Sequence, residues 1–89
     1  MKKLNKKVTE KSNFVYIVRC ADNSLYTGWT NDVDERIRAH NSGTASKYTR
    51  ARLPVTLVYS EICADKSSAL KRECEIKKMK KSQKEKLVG

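Results

Sequence analysis

The sequence predicts a small α+β domain in which helices flank a three-stranded sheet that is antiparallel or mixed. Three observations support this α/β fold class. The chain has 89 residues, which is room for one domain. Alternating segments that favour strands stand beside segments with helical periodicity and recognisable caps. These segments follow the order ββαβαα, and the first two strands are neighbours in the chain.

The first two predicted strands form a hairpin. Residues 14–20 alternate with apolar side chains on both faces, which is typical of a central strand, and residues 25–30 return as the second strand. Asn23 lies between them and tolerates a positive φ. Tyr16 and Tyr26 share a face of the sheet only if the connecting loop has an odd length, and the sequence allows either parity.

The middle of the chain predicts one helix followed by a basic segment. Thr30 or Asn31 is the expected N-cap, acidic residues fill the first turn, and the helix should end at 41–43, where Gly43 stands. Residues 44–53 are polar and basic with no acid, and no element is predicted there.

The last part of the chain predicts a strand and two helices. Residues 55–62 alternate as a third strand. Asp65 or Ser67 should open a second helix that runs to about Lys80. The pattern Ser82-Gln83-Lys84-Glu85 matches a capping box, which predicts a short third helix.

The net charge of +10 is concentrated at the two ends of the chain. Residues 1–12 carry +4 and lack periodicity, so we expect a flexible basic arm followed by one domain over 13–89. Residues 66–89 carry +6, whereas residues 13–65 are neutral. A surplus of this size suits a polyanion such as nucleic acid, although a basic surface can also serve solubility alone.

Cysteine usage and hydropathy exclude several classes of protein. Three widely spaced cysteines and a single histidine are a poor zinc set, so we expect Cys20, Cys63 and Cys74 to be reduced, half-buried packing residues. The longest apolar run, Phe14–Val18, is too short to span a bilayer or to form the core of a signal peptide. We therefore expect a cytoplasmic protein that does not associate with a membrane.

Glu73 is the most informative residue on physical grounds. On a helical wheel it falls between Ala69 and Leu70, inside the apolar stripe of the second predicted helix. A carboxylate in that position needs a partner, which can be an arginine in a structural ion pair or a hard divalent cation. Arg36 borders the inward stripe of the first helix, and His40 lies one turn later on the same face.

These residues together resemble a known family. Phe14-Val15-Tyr16 and, ten residues later, Tyr26-Thr27-Gly28 are similar to the two half-motifs of the GIY-YIG nuclease superfamily. Arg36 and the helix around Glu73 stand where that family keeps its arginine and its metal-binding glutamate. The resemblance covers residues 13–80 and is to small stand-alone bacterial members.

The resemblance implies specific roles. Glu73 would bind one Mg²⁺ or Mn²⁺, and Arg36 would hold a phosphate oxygen. Tyr26 would deprotonate or position the attacking water with Tyr16 beside it, and His40 completes the expected catalytic set. The residues expected to contact nucleic acid are Trp29, Lys47, Tyr48, Arg50 and Arg52. His40 or Lys47 would activate Tyr26 in place of a lysine that several members carry where this chain has Trp29.

Three functions follow as hypotheses. The first is a monomeric, metal-dependent DNA endonuclease that is selective for DNA structure, or that takes its specificity from a protein partner. The second is a nucleic-acid-binding module of the same fold without hydrolysis, which Trp29 in place of the family's lysine keeps open. The third is a small interaction protein whose lysines serve solubility.

Overall fold

The computed structural model describes residues 12–89 and is built on one antiparallel sheet. Its strands are β1 (Asn13–Arg19), β2 (Leu25–Thr30) and β3 (Thr56–Cys63), in the order β2-β1-β3. The central position of β1 agrees with its apolar residues on both faces. The predicted fold class is confirmed. Of the two sheet arrangements that the sequence allowed, antiparallel and mixed, the antiparallel one is observed. The predicted basic arm lies outside the described residues, apart from Ser12.

Four helices complete the described part of the chain. They are α1 (Val33–Asn41), α2 (Lys47–Arg50), α3 (Lys66–Lys77) and α4 (Lys81–Val88). The helix α2 was not predicted, because four residues are too few to show a period. Its N-cap is Ser46, whose Oγ accepts the Thr49 N–H at 3.1 Å.

The start of α1 differs from the prediction. The N-cap is Asp32, whose Oδ1 accepts the Glu35 N–H at 3.1 Å. The prediction of Thr30 or Asn31 as the N-cap was therefore wrong. Thr30 still belongs to β2, and its hydroxyl oxygen accepts the Asp32 N–H instead. At the other end Gly43 adopts φ +85°, as the predicted stop requires.

The last two helices have caps of different kinds. Asp65 caps α3, as one of the two predictions had it, through an Oδ1 that accepts the Ser68 N–H at 2.7 Å. The helix ends at Lys77, three residues before the predicted end. Ser82 lies inside α4 and does not cap it; instead the Gln83 side chain accepts the Lys80 N–H at 2.9 Å.

The two faces of the sheet are packed differently. Helices α3 and α4 cover what we call the apolar face, whose fully buried core is Val15, Ile17, Ala69 and Ile76. Helix α1 lies on the opposite side, which we call the tyrosine face, with the buried residues Tyr16, Val18, Cys20 and Val55 and the half-buried Tyr26 and Ile37.

The prediction that the three cysteines are half-buried packing residues is confirmed only in part. Cys20 is buried in the tyrosine face, and Cys63 is half-buried against the apolar core. Cys74 is exposed on α3, so its predicted packing role was wrong. Cys74 directly follows the inward-facing Glu73. Successive helical residues are rotated by about 100° around the axis, so Cys74 lies toward solvent.

Candidate active site

The register of the hairpin places Tyr16 and Tyr26 on the same face. Tyr16 pairs with Gly28, and Val18 pairs with Tyr26, so paired residue numbers sum to an even value. The loop after the last pair has an odd length of five residues, and Asn23 in it adopts φ 72°, as predicted. The parity that the sequence left open is therefore the one that brings the two tyrosines together.

Gly28 makes room for the ring of Tyr16. A Cβ atom at position 28 would lie 2.6 Å from the Tyr16 hydroxyl oxygen and 2.8 Å from its Cζ, which is closer than real contacts come. The tyrosine ring can lie against β2 only because this residue has no side chain. Gly28 is a site residue that the sequence reasoning missed, and its signal was a glycine in the interior of a strand.

A buried chain of hydrogen bonds starts at Tyr16. Its hydroxyl oxygen lies 2.7 Å from Nε2 of His40, and Nδ1 of His40 lies 2.8 Å from Oγ1 of Thr49. Thr49 Oγ1 in turn lies 3.0 Å from Oγ of Ser46. His40 and Thr49 are fully buried and Tyr16 is 1% exposed, so these bonds replace lost contacts with water. Thr49 and Ser46 were not predicted as site residues.

Burial keeps the two ends of the Tyr16–His40 bond uncharged at neutral pH. It raises the pKa of Tyr16 above its ordinary value, although the Arg36 guanidinium beside the hydroxyl acts in the opposite direction. Burial also lowers the pKa of His40, and the positive charge of Arg36 lowers it further. A neutral tyrosine and a neutral imidazole therefore share this bond.

Arg36 brings the positive charge of the site from α1. Its side chain is half-buried, and within residues 12–89 its buried Nε finds no hydrogen-bond partner. A buried donor without an acceptor is costly unless a ligand supplies one. Arg36 also borders a polar cavity of about 230 Å³ beside Asp32 and Glu35. The guanidinium is therefore suited to an anionic oxygen such as that of a phosphate.

Glu73 lies on α3, the helix on the other side of the sheet from α1, and its charge acts on Tyr16. It lies along α3 between the fully buried Ala69 and Ile76, and its side chain is 17% exposed, as the helical wheel predicted. Its charge raises the pKa of Tyr16, so the carboxylate lies within electrostatic range of that hydroxyl. Its ion-pair partner is Lys77, whose Nζ lies 3.1 Å from Oε2.

The donor set fits a cation that keeps most of its own water. Among residues 12–89 no three His, Cys, Asp or Glu side chains come together to hold a metal. A magnesium site needs no such cage, because one carboxylate with water and phosphate oxygens completes its shell. Glu73 meets that requirement, since only one of its two carboxylate oxygens is engaged by Lys77.

The helix α2 and the segment after it bring aromatic and basic groups beside the tyrosines. The ring of Tyr48 stacks on Tyr26 with centroids 5.8 Å apart. The Arg52 guanidinium lies 3.9 Å from the centroid of the Tyr48 ring, and its Nε lies 3.0 Å from Asp22 Oδ2. Arg52 is thus engaged in holding the site together.

Lys47 and Arg50 lie on the outer side of the same helix. Both are exposed, and they line an open groove of about 430 Å³ with residues 43–46. Trp29 does not join them, because it pairs with Val15 on the apolar face, where Lys66 lies 5.0 Å from its ring centroid. The predicted contact residues therefore separate into Lys47, Tyr48, Arg50 and Arg52 near the tyrosines and Trp29 behind the sheet.

Comparison with known proteins gives a consistent picture. Residues 12–86 match the model of the GIY-YIG catalytic domain. A UPF0213 protein of Clostridium perfringens is 54% identical over 77 residues, which cover 86% of this chain and 83% of the relative. A UPF0213 protein of Staphylococcus haemolyticus is 53% identical over 76 residues, which cover 85% of this chain and 93% of the relative.

Two solved structures agree with the fold. The solution NMR structure of a UPF0213 protein from Bacillus halodurans has a TM-score of 0.56 at 45% identity. That of a protein from E. faecalis has a TM-score of 0.60 at 39% identity. Each match covers 86% of this chain and 82% of the other chain. None of the helices between residues 12 and 89 has the length and hydropathy to cross a membrane.

Proposed function

This chain belongs to the family of GIY-YIG catalytic domains, and we propose on that premise that it is a metal-dependent endonuclease that hydrolyses phosphodiester bonds in DNA. The observation that carries the proposal is that the charges of Arg36 on α1 and Glu73 on α3 both act on the Tyr16 hydroxyl of β1. A neutral phenol, an under-bonded guanidinium and a half-buried carboxylate are the groups that phosphodiester hydrolysis needs.

The residues divide the chemistry among them. Glu73 would hold one Mg²⁺ or Mn²⁺, which when bound polarises the scissile phosphate and supports the leaving oxygen. Arg36 donates to a phosphate oxygen and stabilises the negative charge that grows in the transition state. Tyr26 is more exposed than Tyr16 and positions or deprotonates the attacking water. His40 holds the Tyr16 hydroxyl in place through the 2.7 Å hydrogen bond.

The basic groups beside the tyrosines would bind the DNA backbone. Lys47 and Arg50 line the groove and would contact phosphates, while Tyr48 stacks on Tyr26 and holds the Arg52 guanidinium over its ring. Backbone contacts carry no base sequence, so selectivity would come from the shape of branched, nicked or single-stranded DNA, or from a protein partner. In this proposal the enzyme acts as a monomer in the cytoplasm.

One observation favours a second candidate, a nucleic-acid-binding module without hydrolysis. The Lys77 ammonium already neutralises Glu73, and a cation must compete with it for the carboxylate. A protein that only binds backbone would use the same groove and the same salt-sensitive contacts. The two candidates differ in whether divalent metal and Glu73 matter.

The test is cleavage of labelled branched, nicked and single-stranded DNA with Mg²⁺ or Mn²⁺. We expect Glu73→Gln and Arg36→Ala each to lower the cleavage rate by about 10²–10³-fold, which is typical of losing one group that stabilises transition-state charge. Glu75→Gln is the matched control, because Glu75 lies on the same helix and pairs with Arg72 at an exposed site. If no substrate is cut while salt-sensitive binding persists in all variants, the binding module replaces the nuclease.

A further inference from the structure

The hydrogen bonds that run from Tyr16 to α2 have a direction, which the Tyr16 end determines and the Thr49 end allows. At the first end, the Tyr16 hydroxyl is buried, and among residues 12–89 its hydrogen-bond partner is His40 Nε2, at 2.7 Å. A neutral buried phenol needs an acceptor for its proton. The Tyr16 proton is then directed at His40, whose Nε2 must be unprotonated to accept it.

The second end, at Thr49, is compatible with the same direction. Its Oγ1 lies 3.4 Å from the Ser46 carbonyl oxygen, which can only accept, and 3.0 Å from the Ser46 hydroxyl. When the single hydroxyl proton of Thr49 goes to Ser46, its oxygen is left to accept from His40 Nδ1 at 2.8 Å. The Tyr16 end requires a proton on Nδ1 and none on Nε2, and Thr49 supplies the acceptor for that proton.

We propose that Thr49 is a positioning residue that holds His40 in the Nδ1–H tautomer and thereby aims the hydroxyl of Tyr16. The imidazole is fully buried and has one protein partner on each nitrogen, so water cannot exchange the two roles. In this assignment α2 positions side chains of the site, in addition to carrying Lys47 and Arg50. Its buried Thr49 acts on Tyr16 through His40, and its exposed Tyr48 stacks on Tyr26.

The tautomer assignment does not depend on any activity, whereas its catalytic consequence rests on the proposed nuclease function. An Nδ1–H imidazole keeps Nε2 free as the acceptor for the Tyr16 proton. The other tautomer would present an Nε2–H donor to Tyr16 and would leave the phenolic proton without an acceptor among these groups.

The chain contains one histidine, so its imidazole can be observed without any assignment problem. The experiment is ¹⁵N NMR of the full-length protein labelled at histidine, at neutral pH. We expect a pyrrole-type resonance for Nδ1 and a pyridine-type resonance for Nε2 in the wild type and in Thr49→Ser, which keeps the hydroxyl. Thr49→Val keeps the shape but offers no acceptor for Nδ1–H, and should shift both resonances measurably toward the opposite type.

Either of two results overturns the proposal. One is a wild-type imidazole that carries its proton on Nε2, and the other is a Thr49→Val variant whose two ¹⁵N resonances equal those of the wild type. A thermal unfolding curve for each variant establishes that the spectra come from folded protein. If Thr49→Val does not fold, the wild-type and Thr49→Ser spectra still decide the tautomer.

Cleavage of the DNA substrates then measures the catalytic consequence. We expect Thr49→Val to lower kcat by on the order of 10- to 100-fold with little change in KM, less than the ~10⁴-fold that a wrong histidine tautomer costs a serine protease. Thr49→Ser should retain most of the activity. A wild type that shows the Nδ1–H tautomer and cuts nothing would sink the nuclease proposal and leave the tautomer assignment standing.

Discussion

The two faces of this one sheet are built on opposite principles. The apolar face packs Val15 and Ile17 against Ala69 and Ile76, and all four are fully buried. The tyrosine face also has fully buried residues, but two of them, His40 and Thr49, are polar and linked by a hydrogen bond. Packing of the first kind supplies stability in proportion to area, whereas buried polar chains add little net stability and much geometric precision.

The difference shows how an 89-residue chain can have both a core and a site. Alternating residues of the central strand β1 point to opposite faces, so Val15 and Ile17 serve the core while Tyr16 serves the site. The apolar face provides the rigid support, and the tyrosine face holds groups that would otherwise weaken a small fold. Substitutions on the two faces should therefore separate stability from activity.

The largest effect on stability is expected at Ile76. Ile76→Ala removes a fully buried side chain from the apolar face and should lower the free energy of unfolding by about 2–5 kcal/mol. Leu70→Ala is the matched control, because Leu70 lies on the same helix but is 42% exposed, and it should cost less than ~1 kcal/mol. Urea unfolding followed by circular dichroism measures both. Equal losses would mean that α3 does not pack as described.

The next effect is expected at Gly28, on the tyrosine face. Gly28→Ala forces the Tyr16 ring away from β2 and should cost about 1–3 kcal/mol of stability, as overpacking does. Because the displaced hydroxyl breaks its 2.7 Å contact with His40, cleavage should fall far more than in Ile76→Ala, assayed at a temperature where both are folded. A Gly28→Ala variant with unchanged ¹⁵N signals of His40 and full activity would contradict this role.

Much of this arrangement could be predicted from the sequence, because the relevant signals are local. Alternation placed β1 and β2, and the helical wheel identified Glu73 as an inward carboxylate. The order and spacing of Tyr16, Tyr26 and Arg36 indicated the family. Each of these inferences needs only residues that are neighbours along a strand or a helix.

The parts that could not be predicted depend on contacts between distant segments. Thr49 lies nine residues from His40, in a helix too short to show a period, so nothing local marks it as a partner of the imidazole. Trp29 follows Gly28 in β2, so the two residues point to opposite faces of the sheet. That Trp29 lies on the apolar face can be inferred only once the hairpin parity is known. The partner of Glu73 is Lys77, a local i,i+4 contact. Charge alone could not show whether Glu73 pairs with this lysine or with an arginine elsewhere in the fold.

The smallest expected effect is the pH dependence of stability, which separates the two faces by the pH at which each responds. Burial lowers the folded-state pKa of His40 below its ordinary value of 6.5, so the unfolded chain binds the proton more readily. The stability that the neutral imidazole contributes is present above pH ~6.5 and is lost as the pH falls through the folded-state pKa. The slope cannot exceed that of one proton, about 1.4 kcal/mol per pH unit.

The apolar face responds in more acidic solution, through the ion pair at its rim. Hydrogen bonds from Arg19 and Lys81 lower the pKa of Glu85 from 4.5 to about 2, so its contribution is present above pH 4.5 and is lost as the pH falls toward 2. Hydrogen bonds also lower the pKa values of Asp22 and Asp65, which contribute to the same acidic decline. Urea unfolding from pH 7 to pH 3 should therefore show a first decline that His40→Gln removes and a second that Glu85→Gln reduces. If His40→Gln leaves the first decline intact, the imidazole is not held neutral by burial, and the tyrosine face is more open to water than its packing indicates.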